Sequence, residues 1–173
     1  MPPPIAVTIG SFDGLHLGHR AIFKRLRALA PSGTTAVVTF SNHPSEVLSP
    51  SNPTKLIYTP EKKLKILNTL DIDLCVLLKF TKETASNTYD QFLLALRENL
   101  PFDHLVLGYN AVLGKGRTGT PQALQDFAHQ HGFELEYLPA IKIDGEPVSS
   151  GRIRKLLAEG KTEEAERLLN PNS

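Results

Sequence analysis

Ile9-Gly10-Ser11-Phe12-Asp13-Gly14-Leu15-His16-Leu17-Gly18-His19 is the stretch whose reading sets the fold. Before it, Ile5-Ala6-Val7-Thr8-Ile9 has the β-branched composition of a buried strand; after it, Leu15, Ile22, Leu26 and Leu29 recur at helical spacing. The stretch is therefore a strand-to-helix crossover. Gly10 and Gly14 permit positive φ and close approach of a ligand to the backbone, and a helix opening near Leu17 turns unpaired N–H groups and its positive dipole end toward an anion. His16 and His19, three residues apart, share one side of the first helical turn, and Gly18 keeps the space between them clear of a side chain. Two histidines at a helix start are ordinarily surface residues. Two glycines, a strand end and a helix start around them make this a phosphate-handling turn.

Composition bounds what the chain can be. Its 173 residues, 40% hydrophobic and 21% charged, suit a single globular domain with a sizeable core. A net charge of +1 without any block of five basic residues argues against nonspecific nucleic-acid binding, so no nucleic-acid partner is expected. Met1-Pro2-Pro3-Pro4 lacks the basic and apolar regions of a signal peptide, and no apolar run approaches the ~18 residues of a membrane span. No membrane partner is expected, and a reducing cytoplasm is the expected location. The residues leave the oligomeric state open. Cys75, the one cysteine, has no internal disulfide partner; within Leu74-Cys75-Val76-Leu77-Leu78 it is expected to be an inert buried thiol.

Along the chain, strands and helices alternate. The first strand (about 5–9) leads to a helix (about 17–30) that Pro31-Ser32-Gly33 stops. A second strand, 35–40, meets the turn-forming cluster Ser41-Asn42-His43-Pro44. After a Pro/Ser/Asn-rich loop, Thr59 reads as an N-cap and Pro60 as the first helical residue, predicting a helix through Leu70. A third strand falls at about 73–79. Thr88-Tyr89-Asp90-Gln91 fits a capping box for a helix ending near Asn99, and a fourth strand follows at 104–107. A long loop, 108–119, ends at Thr120-Pro121, which repeats the cap-plus-proline device for a helix stopped by Gly132. The fifth strand is 134–138. An extended segment (about 140–148) then leads to Ser149-Ser150, which cap a helix through Ala158, and a short helix spans 162–169. Strands separated by helices require parallel pairing with right-handed crossovers, so the expected fold is α/β: a doubly wound parallel five-stranded sheet with helices on both faces. Ligands in such sheets sit beyond the carboxyl ends of the strands, where strand order reverses. The loops at Gly10–His19, Ser41–Pro44 and Gly108–Gly119 all begin at such ends.

Gly10-x-Phe12-Asp13-Gly14-x-His16-x-Gly18-His19, together with Val148-Ser149-Ser150-x-x-x-Arg154, resembles the nucleotidyltransferase superfamily with its HxGH and ISSTxxR motifs. Thr39-Phe40 with His43-Pro44, Gly108-x-Asn110 with Gly114-Lys115-Gly116-Arg117-x-Gly119, and Arg152-Ile153-Arg154 narrow the match. From about residue 5 to residue 169, and in the expected order, the chain is similar to the FMN adenylyltransferase (FAD synthetase) module of prokaryotic riboflavin kinase/FAD synthetases. The resemblance implies a Rossmann-like nucleotidyltransferase fold and an ATP-dependent enzyme that transfers AMP to FMN, giving FAD and pyrophosphate. Residues 1–173 would then form one nucleotidyltransferase domain, with no riboflavin kinase domain beyond Asn170-Pro171-Asn172-Ser173.

Adenylyl transfer needs no covalent nucleophile, because the incoming phosphate is already an oxyanion. Its demands are alignment and stabilisation of charge on the α- and β-phosphates. On this reading His16 and His19 are the catalytic pair, gripping the phosphates at the positive end of a helix. Gly10, Ser11, Phe12, Asp13 and Gly18 frame the ATP turn, and Ser149, Ser150, Arg152 and Arg154 form a second clamp of hydroxyls, backbone N–H groups and a guanidinium fork. Serines at a helix start are otherwise ordinary N-caps. The resemblance puts Phe40, His43, Asn110, Lys115 and Arg117 at the flavin, with 108–119 a flexible basic flap; Phe40 reads equally as a core residue and His43 as a turn residue. Gly114-Lys115 is not a P-loop, since Tyr109 stands where the first glycine belongs and Gly116 follows the lysine.

Magnesium is expected to arrive on the ATP phosphates, held by no side chain of the chain itself. Asp13 is the nearest carboxylate and reads equally as a cap on its own turn. Ala111 and Leu113 occupy positions that are usually aromatic in the family, and Gly151 replaces its threonine. Two alternatives stay open: a noncatalytic nucleotide- or flavin-binding module on the same fold, and a nucleotidyltransferase with another phosphorylated acceptor.

Overall fold

In the computed structural model, which describes residues 1–170, five strands build one sheet: β1 Ile5–Ile9, β2 Thr34–Phe40, β3 Leu74–Leu78, β4 His104–Gly108 and β5 Glu134–Leu138. Pro171, Asn172 and Ser173 lie outside the described residues. The strand order is β3-β2-β1-β4-β5 and every pairing is parallel. The chain steps outward from β1 to β3, then returns to the other side of β1, so the order reverses between β1 and β4. This is the doubly wound sheet expected from alternating strands and helices. Its register places a crevice: β1 pairs with β2 along its whole length, through Ile9, but with β4 only at Ala6 and Val7. Beyond Val7 the two central strands part at their carboxyl ends.

Side chains alternate across the sheet. Val7, Ile9, Leu105 and Leu107 face a core closed by α5 (Tyr89–Asn99) and α6 (Pro121–His131), through Leu93, Leu124 and Phe127. Ala6, Val37 and Val106 face α1 (Leu17–Leu29), and Leu67 of α3 (Pro60–Leu67) joins that cluster. A third, smaller cluster unites α7 (Ser150–Ala158) and α8 (Thr162–Leu169) through Ile153, Ala165 and Leu168. It reaches the first turn of α1 at Leu17, which carries the C-terminal helices to the crevice.

The capping chemistry read from the sequence is present. The Thr59 hydroxyl accepts from Lys62 N–H and that of Thr120 from Ala123 N–H, each before a proline; Gly132 ends α6 at φ 71°. Thr88 N–H donates to Gln91 Oε1 at 3.1 Å, as a capping box requires. Three features differ from the sequence reading. Helix α3 stops at Leu67 rather than Leu70, because Thr69 and Leu70 turn their N–H groups three residues back, to Ile66 and Leu67. Two short helices, α2 (Ser45–Leu48) and α4 (Lys82–Ser86), occupy stretches with no helical signal, the second set by reciprocal bonds between Thr81 and Thr84. The extended segment folds back on itself as β6 (Lys142–Ile143) and β7 (Glu146–Pro147) around Asp144-Gly145, both at positive φ.

Cys75 is exposed, not buried. The reason is topological: β3 is the last strand on its side of the sheet, and while Val76 and Leu78 pack against the core, Leu74, Cys75 and Leu77 are left exposed at the edge. Among the described residues no helix is long and apolar enough to cross a membrane.

Candidate active site

His16 is the N-cap of α1. Its Nδ1 accepts the backbone N–H groups of Gly18 at 3.1 Å and His19 at 3.3 Å, so two donors that the sequence left to an anion are taken by the imidazole. Because Nδ1 accepts, the neutral ring carries its proton on Nε2. Burial pushes the His16 pKa down to about 4, against the opposing pull of the Asp13 carboxylate, and at neutral pH the ring is an uncharged donor. His19 stacks on it with ring centroids 3.6 Å apart and planes 18° apart, and also meets Phe12 edge-to-face with centroids 5.1 Å apart. Burial drives the His19 pKa well down, helped by His16 and the Lys63 ammonium. Its Nδ1 is buried with no hydrogen-bond partner among the described residues, at a cost of about 1–3 kcal/mol.

The backbone here is held under strain. Phe12 and Leu15 sit at φ 48° and 46°, left-handed values that non-glycine residues rarely adopt, and both are buried. Gly18 is required for a different reason: a Cβ there would lie 2.9 Å from His16 Cε1, inside the folded-over ring.

Two cavities open at the carboxyl edge of the sheet. The first, about 290 Å³, lies in the crevice between β1 and β4; His16, Gly18, His19, Asn110, Ser149 and Ser150 are among its walls. The two motifs separated by some 130 residues thus meet in one space. The second, about 500 Å³, lies over the ends of β1 and β2 and is lined by Gly10, Ser11, Phe40, Phe80, Phe92, Lys115 and Arg117. The loop after β4 borders both, with Asn110 in the first and Ala111 through Arg117 in the second. That loop is anchored rather than free. Leu113 pairs with Gly119, Lys115 N–H donates to Asn87 O at 2.8 Å, and Gly114 at φ 82° leaves no room for a Cβ against Tyr89.

Other sequence-predicted residues are placed differently. Arg154 sends Nη2 to Asp13 Oδ2 at 2.8 Å and Nε to Lys55 O at 3.1 Å; Arg152 binds the carbonyls of Ile143, Glu146 and Pro147. Neither guanidinium lines the histidine cavity. Ser149 caps α7 through Arg152 N–H, and Ser150 Oγ donates to Asp13 O at 2.8 Å. Asp13, 4% exposed, does not cap its own turn: its carboxylate accepts Ile57 N–H at 3.1 Å and pairs with Arg154, tying the first motif to the last. His43 Nδ1 is occupied by the backbone N–H and hydroxyl of Ser45, a turn role, in a smaller pocket beside Asp13 and Lys63. Phe40 is both core and wall, 9% exposed with Phe80 edge-on at 5.4 Å.

Sequence reasoning missed Lys63 and Phe80. Lys63 Nζ is buried and donates to Ser11 O, Thr39 Oγ1 and Phe40 O at 3.0–3.1 Å, locking together the turns after β1 and β2; burial lowers its pKa. The available signal was a lysine on the inward face of α3, one turn from Leu67. Phe80 supplies, with Phe40 and Phe92, the aromatic wall that Ala111 and Leu113 do not. As for a divalent cation, the described residues hold no group of three His, Cys, Asp or Glu, and the one nearby carboxylate is committed to Ile57 and Arg154. These side chains do not fit a magnesium site.

A family model described as FAD synthetase matches residues 1–152. The chain belongs to the FAD synthetase family. A Listeria monocytogenes bifunctional riboflavin kinase/FMN adenylyltransferase is 32% identical over 166 residues, covering 94% of this chain and 52% of the relative. A Listeria monocytogenes FAD synthetase is 28% identical over 165 residues, covering 94% and 67%. This member of the family thus spans about half the length of most curated relatives it matches. Among solved structures, a Streptococcus pneumoniae protein described as a macrolide-efflux protein superposes with a TM-score of 0.84 at 25% identity, over 98% of this chain and 56% of that one.

Proposed function

We propose that this chain is an FMN adenylyltransferase: it transfers AMP from ATP to FMN, giving FAD and pyrophosphate. The observation that carries the reading is the pair of cavities meeting over the β1 turn, one floored by two uncharged histidines and the other walled by three phenylalanines. ATP is assigned to the histidine cavity and the isoalloxazine of FMN to the aromatic one. Lys115 and Arg117, at the rim of the second cavity, are the cations assigned to the FMN phosphate.

In the reaction an FMN phosphate oxygen attacks the α-phosphorus of ATP, the bond from that phosphorus to the bridging oxygen breaks, and the electron pair leaves with pyrophosphate. The Nε2–H of His16 donates to the phosphate oxygens that gain charge, and the low dielectric of the buried site strengthens that bond as charge builds. Keeping His16 neutral costs no proton at pH 7. His19 positions its neighbour by stacking and forms part of the cavity wall, with its Nδ1 turned into the interior. Ser149, Ser150 and the first turn of α7 close the far side of the nucleotide. Arg154 acts through Asp13, holding the histidine turn against α7, rather than as a free phosphate fork. Magnesium is expected on the phosphate oxygens of ATP, and these substrates put the work of the protein in the cytoplasm.

The test is incubation with ATP, Mg²⁺ and FMN, following FAD and pyrophosphate together. Stoichiometric release of both is expected. Pyrophosphate released only with a different phosphorylated acceptor refutes the flavin assignment, and tight ATP binding without turnover on any acceptor refutes catalysis.

A further inference from the structure

The two edges of the sheet are built differently. β5 carries Glu134 and Glu136, the latter paired with Arg25 at 2.7 Å. β3 carries Leu74-Cys75-Val76-Leu77-Leu78, with no charge and no proline; Leu74 and Leu77 are 40% and 43% exposed, and Cys75 is exposed between them. Native sheets ordinarily protect such an edge. The hydrogen-bond phase of β3 is fixed from within. Gly10 N–H donates to Val38 O, which turns Val38 toward β1 and Thr39 toward β3, and Ser41 N–H donates to Leu78 O. Leu74, Val76 and Leu78 are therefore the residues bonded to β2, and Cys75 and Leu77 hold their N–H and C=O groups outward.

We propose that β3 pairs antiparallel with β3 of a second copy, about a two-fold axis at Val76, joining the two sheets into one. In that register Cys75 faces the second copy's Leu77, Leu74 faces its Leu78, and Lys79 faces the end where Asp71 and Asp73 share Arg27, a cluster that keeps one net negative charge although Asp73 Oδ2 is bonded within its own chain to Arg27 Nη2 at 2.8 Å and to Thr35. The outward-facing Cys75 and Leu77 then exchange main-chain hydrogen bonds in both copies. Every apolar residue meets an apolar one, and the acidic start of the strand meets the basic end. A shift of two residues either way sets Asp73 against Leu77 or Lys79 against Cys75. This self-complementarity is what a closed two-fold contact demands. The contact lies across β2 and β1 from the β1/β4 crevice and leaves the histidine cavity open. It is small, at the low end of specific interfaces, and a dissociation constant on the order of 10 μM is expected.

Sedimentation equilibrium of the full chain from about 1 to about 200 μM tests the pairing across that dissociation constant. A monomer–dimer equilibrium is expected. Lys79→Glu, at an exposed position, removes the attraction to the net-negative Asp71–Asp73–Arg27 cluster and sets a like charge against it, raising the dissociation constant several-fold in low salt. Val76→Cys in a Cys75→Ser background forms a disulfide dimer on mild oxidation, since a non-hydrogen-bonded antiparallel pair brings Cα atoms to about 4.5 Å; wild-type Cys75, opposite leucine, does not cross-link. A monomer throughout, a dimer indifferent to Lys79→Glu, or a wild-type Cys75–Cys75 cross-link overturns the proposal. If Val76→Cys perturbs folding, the Lys79→Glu comparison decides alone.

Discussion

His16 caps α1 with one ring nitrogen and carries its proton on the other, and two substitutions separate those roles. His16→Ala removes the acceptor for Gly18 and His19 N–H and also the Nε2 donor. His16→Asn restores an acceptor at a position where asparagine caps well, but supplies no group at Nε2. Both lose the ring stacked on His19, so the difference between the two variants isolates the cap. A lost N-cap costs about 1 kcal/mol, which for a domain of this size is a melting difference of roughly 2–4 °C, Asn above Ala. Turnover behaves otherwise. Loss of one preorganised donor to developing charge costs about 10²–10³ in kcat, and both variants are expected to fall at least tenfold and by similar factors. Calorimetry gives the melting difference, and FAD formation at saturating ATP and FMN gives the rates. Wild-type turnover by His16→Asn would refute the donor role of Nε2, and coincident melting of Ala and Asn would refute the cap.

The same residue predicts an acid sensitivity. Its folded pKa of about 4 lies below the unfolded 6.5, so the unfolded state binds more protons between those values and stability falls as pH drops from about 6.5 toward 4, by roughly 3 kcal/mol. His19 shifts in the same direction, and in denaturant melts His16→Asn is expected to lose less than wild type on acidification. Phe80→Ala removes a wall of the aromatic cavity and is expected to raise KM for FMN about tenfold while leaving KM for ATP unchanged; steady-state kinetics with each substrate varied reads the split. Asp13→Asn keeps the shape but loses the charge opposite Arg154, at about 2 kcal/mol or roughly 4–8 °C in melting temperature. Lys63→Met strands Phe40 O and leaves Ser11 O and the Thr39 hydroxyl only their bond to each other, and about 2 kcal/mol of stability should be lost in urea unfolding.

What the sequence disclosed follows its physics. Periodicity and caps are local, and so β1, α1, α5, α6 and the order of the alternating elements were legible; Thr59-Pro60, Thr120-Pro121 and Gly132 sit where their chemistry requires. The meeting of His16 and His19 with Ser149 and Ser150 followed from parallel topology, which sends every strand's carboxyl end to one edge. Properties set by neighbours distant in sequence were not legible. Cys75 looked buried because an apolar pentapeptide does not say whether its strand is central or last. Arg154 looked free because the partner that claims it, Asp13, lies 141 residues away. Lys63 drew no reading because nothing local reveals the three oxygens waiting for its ammonium. The Asp144-Gly145 turn carried a readable hairpin signal that the segment's extended character obscured.

The loop from Gly108 to Gly119 is one covalent strap over two cavities: Asn110 borders the histidine cavity, and the next residue, Ala111, already belongs to the aromatic one. Its far end is pinned at Asn87 and Tyr89, so a displacement at one cavity is not absorbed by slack but delivered to the other. On the proposed assignment of ATP and FMN, occupancy of the two chambers is expected to be linked. Each substrate would then change the affinity of the other by a common factor, and the binding isotherm for either one, recorded with and without its counterpart, would return the same coupling free energy.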